Sequence, residues 1–421
     1  MTRPSSTPST TVPTPPPAEE LHSGAAIDVL TGDDLRDIFR RLSLADLLRA
    51  ALACHRWRRV AARCLPRAPP LLGYFFHPVS TAPPPPIEIE EPAPIHYDAV
   101  FAPLDASSPR LSLDFAPEAS RFELYDCHQG LLLLQPTGSL PKSIIPRLLV
   151  LDPATRRSVL LPPPPRDTVP DDHRWRGSRY YAGSALLSRA HPSKLCFEAV
   201  CFAIDDGHPR AWVASVDSGE CRWRALPRDE DVAVDFHPKW FEGRCVHAAG
   251  KMYWHICNSD RLLVLDPASL RFSYLLAPAE LAEHYCTYRI GETPEDGRLC
   301  ILAVANSSWL QLWVRGGEAN KCSDNGWLVE RDILHMRVVW EAVPGLPTDM
   351  AQRIFCVWPS DMDAGRTGKA FIRTFGYGRY SLHLDTGKIE RLATTDGKEY
   401  GDPICAYFLA WPPAFLAPEY Y

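Results

Sequence analysis

Apolar residues near the N-terminus recur with a helical period, and those downstream recur with the period of strands. Leu35, Ile38, Phe39 and Leu42 stand at i, i+3, i+4 and i+7, which puts them on one face of a helix. Asp33 and Asp34 fall in its first turn, where negative charge complements the helix dipole. Ser43 interrupts the pattern and is placed to cap a second helix, with Asp46 three residues on in the manner of a capping box. Leu44, Leu47, Leu48 and Ala51 carry the second apolar face, and Trp57, Val60, Ala61 and Cys64 repeat the spacing for a third. No proline interrupts 27–65, so three short helices are expected there. From about residue 96 the pattern changes. Short β-type runs at 148–151, 211–216, 262–265, 310–314 and 380–384 alternate with Gly, Asp and Pro turns, without sustained helical periodicity. This region reads as all-β.

The β region also repeats itself. LLVLDPATRRSVLLP at 148–162 and RLLVLDPASLRFSYLLAP at 261–278 share an apolar strand, an Asp-Pro turn and a second apolar strand ending at proline. Weaker copies lie at 211–227 and 380–393. Their aspartates, Asp152, Asp217, Asp266 and Asp385, are spaced by 65, 49 and 119 residues, and the last interval has room for two units, one holding 310–314 and 325–333. Asp can hydrogen-bond the backbone two residues on, and Pro presets φ for the next turn position. Strand–turn–strand units recurring at ~50 residues are the signature of β-propeller blades. The expectation is a small all-α three-helix module followed by an all-β repeat domain, a propeller of about six blades, with a pair of β-sandwiches as the competing arrangement.

Proline marks the boundaries. The chain holds 42 prolines in 421 residues, about twice the usual ~5% share. Residues 1–24 are Pro/Ser/Thr-rich and predict a disordered tail, 25–65 the helical module, 66–95 a stiff Pro-rich linker, and 96–415 the β domain. A net charge of −6 gives no global reason to expect nucleic acid or an anionic membrane as partner. Thirteen cysteines without a C-x-x-C pair, several inside apolar runs (Cys196, Cys201, Cys300, Cys356), predict reduced thiols and a cytosolic or nuclear protein. No run reaches the ~20 apolar residues that cross a bilayer.

Catalytic patterns are not assembled in the sequence. Gly365-Arg366-Thr367-Gly368-Lys369-Ala370 lacks the spacing and the hydroxyl of a phosphate loop and reads as a turn. No G-x-S-x-G elbow is present. His247, His255 and His335 are scattered, and Asp361-Met362-Asp363 lacks the rest of a calcium loop. The expectation is a non-enzymatic chain with no cofactor and no metal, although propeller folds also host enzymes. Tyr180, Tyr181, Trp240 and Phe241 are candidates for either a binding surface or the core.

Three helices in under 40 residues bury little surface alone, which suggests a face kept for a protein partner. Leu30, Asp34-Leu35, Ile38, Leu42, Leu47 and the element Cys54-His55-Arg56-Trp57 match the spacing of the F-box. Downstream, Asp126-Cys127-His128-Gln129-Gly130 with its leucine run, Gly250-Lys251-Met252-Tyr253-Trp254, and 310–314 with 325–333 look like elements of the kelch-like, F-box-associated β-repeat domains of plant-type F-box proteins. The chain thus resembles that family. The resemblance implies the substrate-recognition subunit of an SCF (Skp–cullin–F-box) E3 ubiquitin ligase. Leu30, Asp34, Leu35, Ile38, Leu42, Leu47, Cys54 and Trp57 would then bind a Skp-type adaptor, and through it a cullin, while the β domain holds an unnamed protein substrate. Thr31 and Ser43 stand where the family has prolines, which predicts softer helix starts. A scaffold with a degenerate F-box is the alternative.

Overall fold

The two periods of the sequence fold into two units, residues 1–67 with 414–421 and residues 68–413. The computed structural model describes residues 30–42, 44–51, 53–64, 71–79, 98–104, 108–138, 145–165, 179–191, 194–217, 219–237, 240–257, 259–281, 288–293, 296–305, 308–316, 325–374, 376–394 and 397–409. The N-terminal tail expected at 1–24 and the cap expected from Ser43 lie outside them.

The first unit is helical: α1 (Gly32–Phe39), α2 (Leu44–Ala51) and α3 (His55–Cys64). Leu35, Phe39, Leu47, Ala51 and Ala61 form its buried centre, with Leu30, Ala50, Trp57, Val60 and Cys64 packed against them.

The second unit is a six-bladed β-propeller. It opens with β1 (Leu71–Phe76), β2 (Pro78–Val79) and β3 (Val100–Pro103). Five four-stranded antiparallel blades follow. They are β4 (Phe122–His128), β5 (Leu131–Pro136), β6 (Leu148–Asp152) and β7 (Arg157–Leu161); then β8 (Arg179–His191), β9 (Cys196–Asp205), β10 (His208–Asp217) and β11 (Glu220–Ala225). The third holds β12 (Phe241–Ala248), β13 (Lys251–Ile256), β14 (Arg261–Asp266) and β15 (Arg271–Leu276). The fourth holds β16 (Tyr288–Glu292), β17 (Leu299–Ala305), β18 (Trp309–Arg315) and β19 (Trp327–His335), and the fifth β20 (Val357–Asp363), β21 (Lys369–Thr374), β22 (Arg379–His383) and β23 (Ile389–Arg391). After β24 (Glu399–Tyr400), which pairs with β2, the final strand β25 (Cys405–Phe408) completes a three-stranded sixth blade in the order β25-β1-β3.

The repeated aspartates all sit where the third strand of a blade turns into the fourth. Asp266 accepts from the Ala268 N–H at 2.9 Å, the local bond expected of an Asp turn. Asp152 accepts the Thr155 hydroxyl at 2.7 Å. Both Asp-Pro hairpins place the residue four positions after the Asp, Arg156 and Leu270, in the left-handed region. The 119-residue gap does contain a further blade, β16–β19, and the sandwich arrangement is ruled out.

Burial explains the strand compositions. β6 and β17 are buried at every position because both faces of a middle strand meet neighbouring blades. The outer strand β11 alternates, with one face in water. Apolar clusters join the blades pairwise: Tyr125 and Leu133 with Phe197 and Trp212, Phe202 with Trp254, Tyr253 with Tyr288, Leu310 with Tyr380, Phe371 with Tyr74 and Phe76, and Phe75 and Tyr407 with Leu132 and Leu149.

Two expectations need correction. The stretch read as linker, 66–95, contains β1 and β2, because LLGYFF is an apolar strand hidden between proline runs. The β region is not free of helix either. α4 (Met336–Ala342), α5 (Met350–Cys356) and α6 (Ala364–Thr367) flank β20, and Met336, Val339 and Trp340 bury a helical face against Tyr380 and Leu382.

Ring closure through β1 predicts that the boundary at residue 96 is too late. A fragment 68–421 should melt cooperatively, whereas 96–421, lacking β1, should bind hydrophobic dye and lose its sharp thermal transition. Equal melts for both would show that β1 is dispensable.

Candidate functional site

In the helical unit, the structure separates the predicted docking residues into an inside and an outside. Leu35 and Leu47 are 1% and 4% exposed and belong to the core. Ile38, in the last turn of α1, and Leu42, three residues past its end, remain 44% and 36% exposed. The four-residue face read from the sequence is therefore split: Leu35 and Phe39 point inward, Ile38 and Leu42 to solvent. Leu30 and Trp57 are half-buried, and the Trp57 ring meets Phe39 edge-on with centroids 5.4 Å apart. Asp34 and Cys54 are exposed and act as caps.

Thr31 does not leave α1 soft. Its side chain accepts from the Asp34 N–H at 3.2 Å, while the Asp34 carboxylate accepts from the Thr31 N–H at 2.9 Å and from its hydroxyl at 2.6 Å. This reciprocal capping box satisfies helix-start donors that a proline would remove or leave open. The same hydrogen bonds hold the Asp34 carboxyl below its usual range. Cys54 has a comparable task. Its Sγ lies 3.5 Å from the Trp57 N–H at the start of α3, which accounts physically for cysteine three residues before tryptophan. Arg58 Nε reaches the Ala51 carbonyl at the end of α2 at 3.4 Å, so the basic residues of α3 partly serve to tie helix ends together.

In the propeller, charged side chains converge on a cavity among the first strands of the blades, with about 100 Å³ of open space lined by residues of β4, β12, β16, β20 and β25. Asp126 is buried and accepts the Leu186 N–H at 2.8 Å, with His247 Nε2 3.0 Å from its carboxylate. These contacts tie three blades at one carboxylate. Burial opposes its charge, yet the His247 ring, with His128 and the Leu186 N–H, more than offsets this and keeps the Asp126 carboxyl low. The His128 ring stacks on His247 at 4.0 Å. Burial, and then His247, push the His128 imidazole down to about 3. Arg244 pairs with Asp361 at 2.9 Å, and Arg366 with Asp363 at 2.9 Å. Burial nonetheless lifts the Asp363 carboxyl to about 6.

This arrangement is chiefly one of paired charges. The cavity thiols do not supply a nucleophile: burial pushes Cys127 and Cys245 well up and Cys405 to about 12, which keeps all three protonated at neutral pH. The sequence missed the network because its members are far apart, 121 residues for Asp126 with His247 and 117 for Arg244 with Asp361. The one local signal was the pair Asp126 and His128 in the segment singled out by resemblance. The sequence shows no cluster of metal donors, whereas the fold brings the donor atoms of Glu242, His255 and Cys257 within 4.8 Å of one another. Of the aromatic candidates, Phe241 is core, Tyr180 and Tyr181 are half-buried, and Trp240 is exposed beside Phe236.

Because His128 stays neutral in the folded chain while an unfolded imidazole protonates near 6.5, stability is lost as pH falls below 6.5 towards about 3. Replacing His128 by Phe keeps a ring on His247 and removes that loss. Urea midpoints should show the native chain losing up to about 2 kcal/mol more than His128→Phe between pH 6.5 and 5. Identical pH dependence would contradict the assignment.

Among the described residues no helix is long and apolar enough to cross a membrane. Two family models match the chain: an F-box-like model over residues 35–65, and the model for the β-propeller of AT5G49610-like F-box proteins over residues 123–415. No curated protein matches. Among solved structures, the β-propeller domain of Cps50 (Swd1) from Myceliophteria thermophila is 11% identical, with a TM-score of 0.33, covering 64% of this chain and 72% of that one. A Bacteroides caccae protein of unknown function is 8% identical, with a TM-score of 0.35, covering 78% and 94%. The PQQ-bound aldose sugar dehydrogenase of Streptomyces coelicolor is 12% identical, with a TM-score of 0.35, covering 66% and 83%. Likenesses this distant carry no argument about function. The chain belongs to the AT5G49610-like F-box proteins, an F-box-like module followed by a β-propeller.

Proposed function

We propose that this chain is the substrate-recruiting subunit of an SCF-type ubiquitin ligase. F-box domains generally bind Skp1 adaptors. The helical unit docks on such an adaptor and through it on a cullin, while the propeller holds a protein target. The chain performs no bond chemistry of its own. By keeping a target lysine near a ligase-bound ubiquitin donor it raises effective concentration. The observation that carries this reading is the F-box-like helical unit, with Ile38 and Leu42 on its surface, joined to a propeller. Free thiols, including buried Cys196, Cys201 and Cys300, fit a reducing compartment, cytoplasm or nucleus. The second reading, a scaffold that no longer recruits a ligase, drew its support from the missing prolines. The Thr31–Asp34 capping box weakens that support, since α1 keeps a well-satisfied start.

Burying Ile38 and Leu42 against the adaptor contributes about 1.5–3 kcal/mol each. Ile38→Asp with Leu42→Asp should therefore weaken adaptor binding by at least about 100-fold while the far-UV circular dichroism stays native. Leu35→Asp, in the core, should lose helix signal and binding together. Isothermal titration with a Skp-type adaptor decides the matter. Binding by the native chain that survives the double change, or no binding by the native chain at tens of micromolar adaptor, would refute the docking assignment.

A further inference from the structure

Glu242, His255 and Cys257 lie on the first hairpin of the third blade, Glu242 standing 13 and 15 residues before His255 and Cys257 in sequence. The register between β12 and β13 shifts between Phe241 and Cys245, and Glu242 sits inside that irregularity. Bulges of this kind re-aim side chains, often beside functional sites. Just beyond β13, the Cys257 N–H donates to the Trp240 carbonyl at 2.7 Å and fixes the thiol opposite the carboxylate.

The spacing of the donor atoms is the main observation. Glu242 Oε1 is 3.3 Å from His255 Nδ1 and 3.6 Å from Cys257 Sγ. Around a tetrahedral zinc with bonds of about 2.0–2.1 Å to oxygen and nitrogen and about 2.3 Å to sulfur, those separations come to roughly 3.3 Å and roughly 3.5 Å. Both separations from Glu242 therefore match edges of a zinc tetrahedron, and all three donor atoms lie within 4.8 Å of one another.

His255 supplies an independent pointer. Its ring is buried, 7% exposed, and neither nitrogen has a hydrogen-bond partner. Nδ1 faces Glu242 at ion-pair distance but out of line for a hydrogen bond. A buried imidazole whose Nδ1 meets only an off-line carboxylate and whose Nε2 has no partner is costly, and a metal bond to Nδ1 removes part of that cost. The Tyr288 ring meets His255 edge-on at 4.7 Å and holds it in place.

We propose that Glu242, His255 and Cys257 bind one zinc ion, with a water on the fourth corner at the solvent-facing side of Glu242. Carboxylate, imidazole and thiolate form a donor set suited to zinc, and the two anionic donors neutralise a divalent ion. Arg289, 3.2 Å from Glu242 Oε1, is anchored by the Ser360 and Tyr288 carbonyls and serves as the carboxylate's outer partner. The ion staples the start of β12 to the end of β13, where blade three meets blade four. Without metal, the same residues would be an ion pair of Glu242 with Arg289, indifferent to zinc.

The test uses the full chain, stripped with a chelator and dialysed against zinc. Elemental analysis should find one more zinc per chain in the native protein than in Cys257→Ser or His255→Gln, while Cys54→Ser matches the native value. Cobalt substitution gives a second readout that does not depend on a variant folding. The native chain should show thiolate-to-cobalt charge-transfer absorption with tetrahedral visible bands. Zinc content unchanged in both site variants, or a cobalt spectrum without thiolate absorption, would overturn the proposal.

Discussion

Closure of the ring is the constraint on which the propeller depends. A blade is a sheet with two apolar faces, and each face is stable only against a neighbour. Five blades stacked in a row would leave two faces in water; the sixth covers both. Here that blade is assembled from strands before and after the others, β25 inside, then β1, then β3. Phe75 and Tyr407 seal it against Leu132 and Leu149 of the first blade, and Tyr74 and Phe76 against Phe371 of the fifth. Joining segments more than 300 residues apart costs loop entropy that grows only logarithmically with length. The apolar area covered on both faces outweighs it.

Closure also explains the charged axis. First strands of the blades converge there, so their side chains meet those of blades far off in sequence. Asp126 joins Leu186 and His247, and Arg244 joins Asp361, each across blades. Buried charges of this kind are retained at a cost in desolvation, and they set the relative positions of blades that apolar packing alone would let slide. The polar cavity is thus first a structural device.

Much of this was legible in the chain. The Asp turns marked four hairpins, and at two of them Asp266 and Asp152 bond their own turn backbones, a local effect visible in local sequence. Blade number followed from the length of the β region, 96–415, at a period of ~50 residues, and the interval between Asp266 and Asp385 left room for the blade between them. β1 was not legible: six residues between proline runs show no alternation, because the strand is covered on both sides. The helix at Met336–Ala342 was missed although Met336, Val339, Trp340 and Val343 carry its period. In the helical unit, periodicity found the helices but could not separate Leu35 from Ile38, since which edge of an apolar face meets the other helices is decided by packing. The capping role of Thr31 was hidden by comparison with proline, and the convergence of Glu242 with His255 depends on a register shift that sequence does not display.

Native-state hydrogen exchange of β25 and β1 under rising denaturant tests the closure account most directly. Amides of 405–408 and 71–76 should open with the same free energy and denaturant dependence as those of β13 and β14, because separating the closing blade unfolds the ring. Exchange at 405–408 through a low-energy opening that leaves β13 and β14 protected would contradict it.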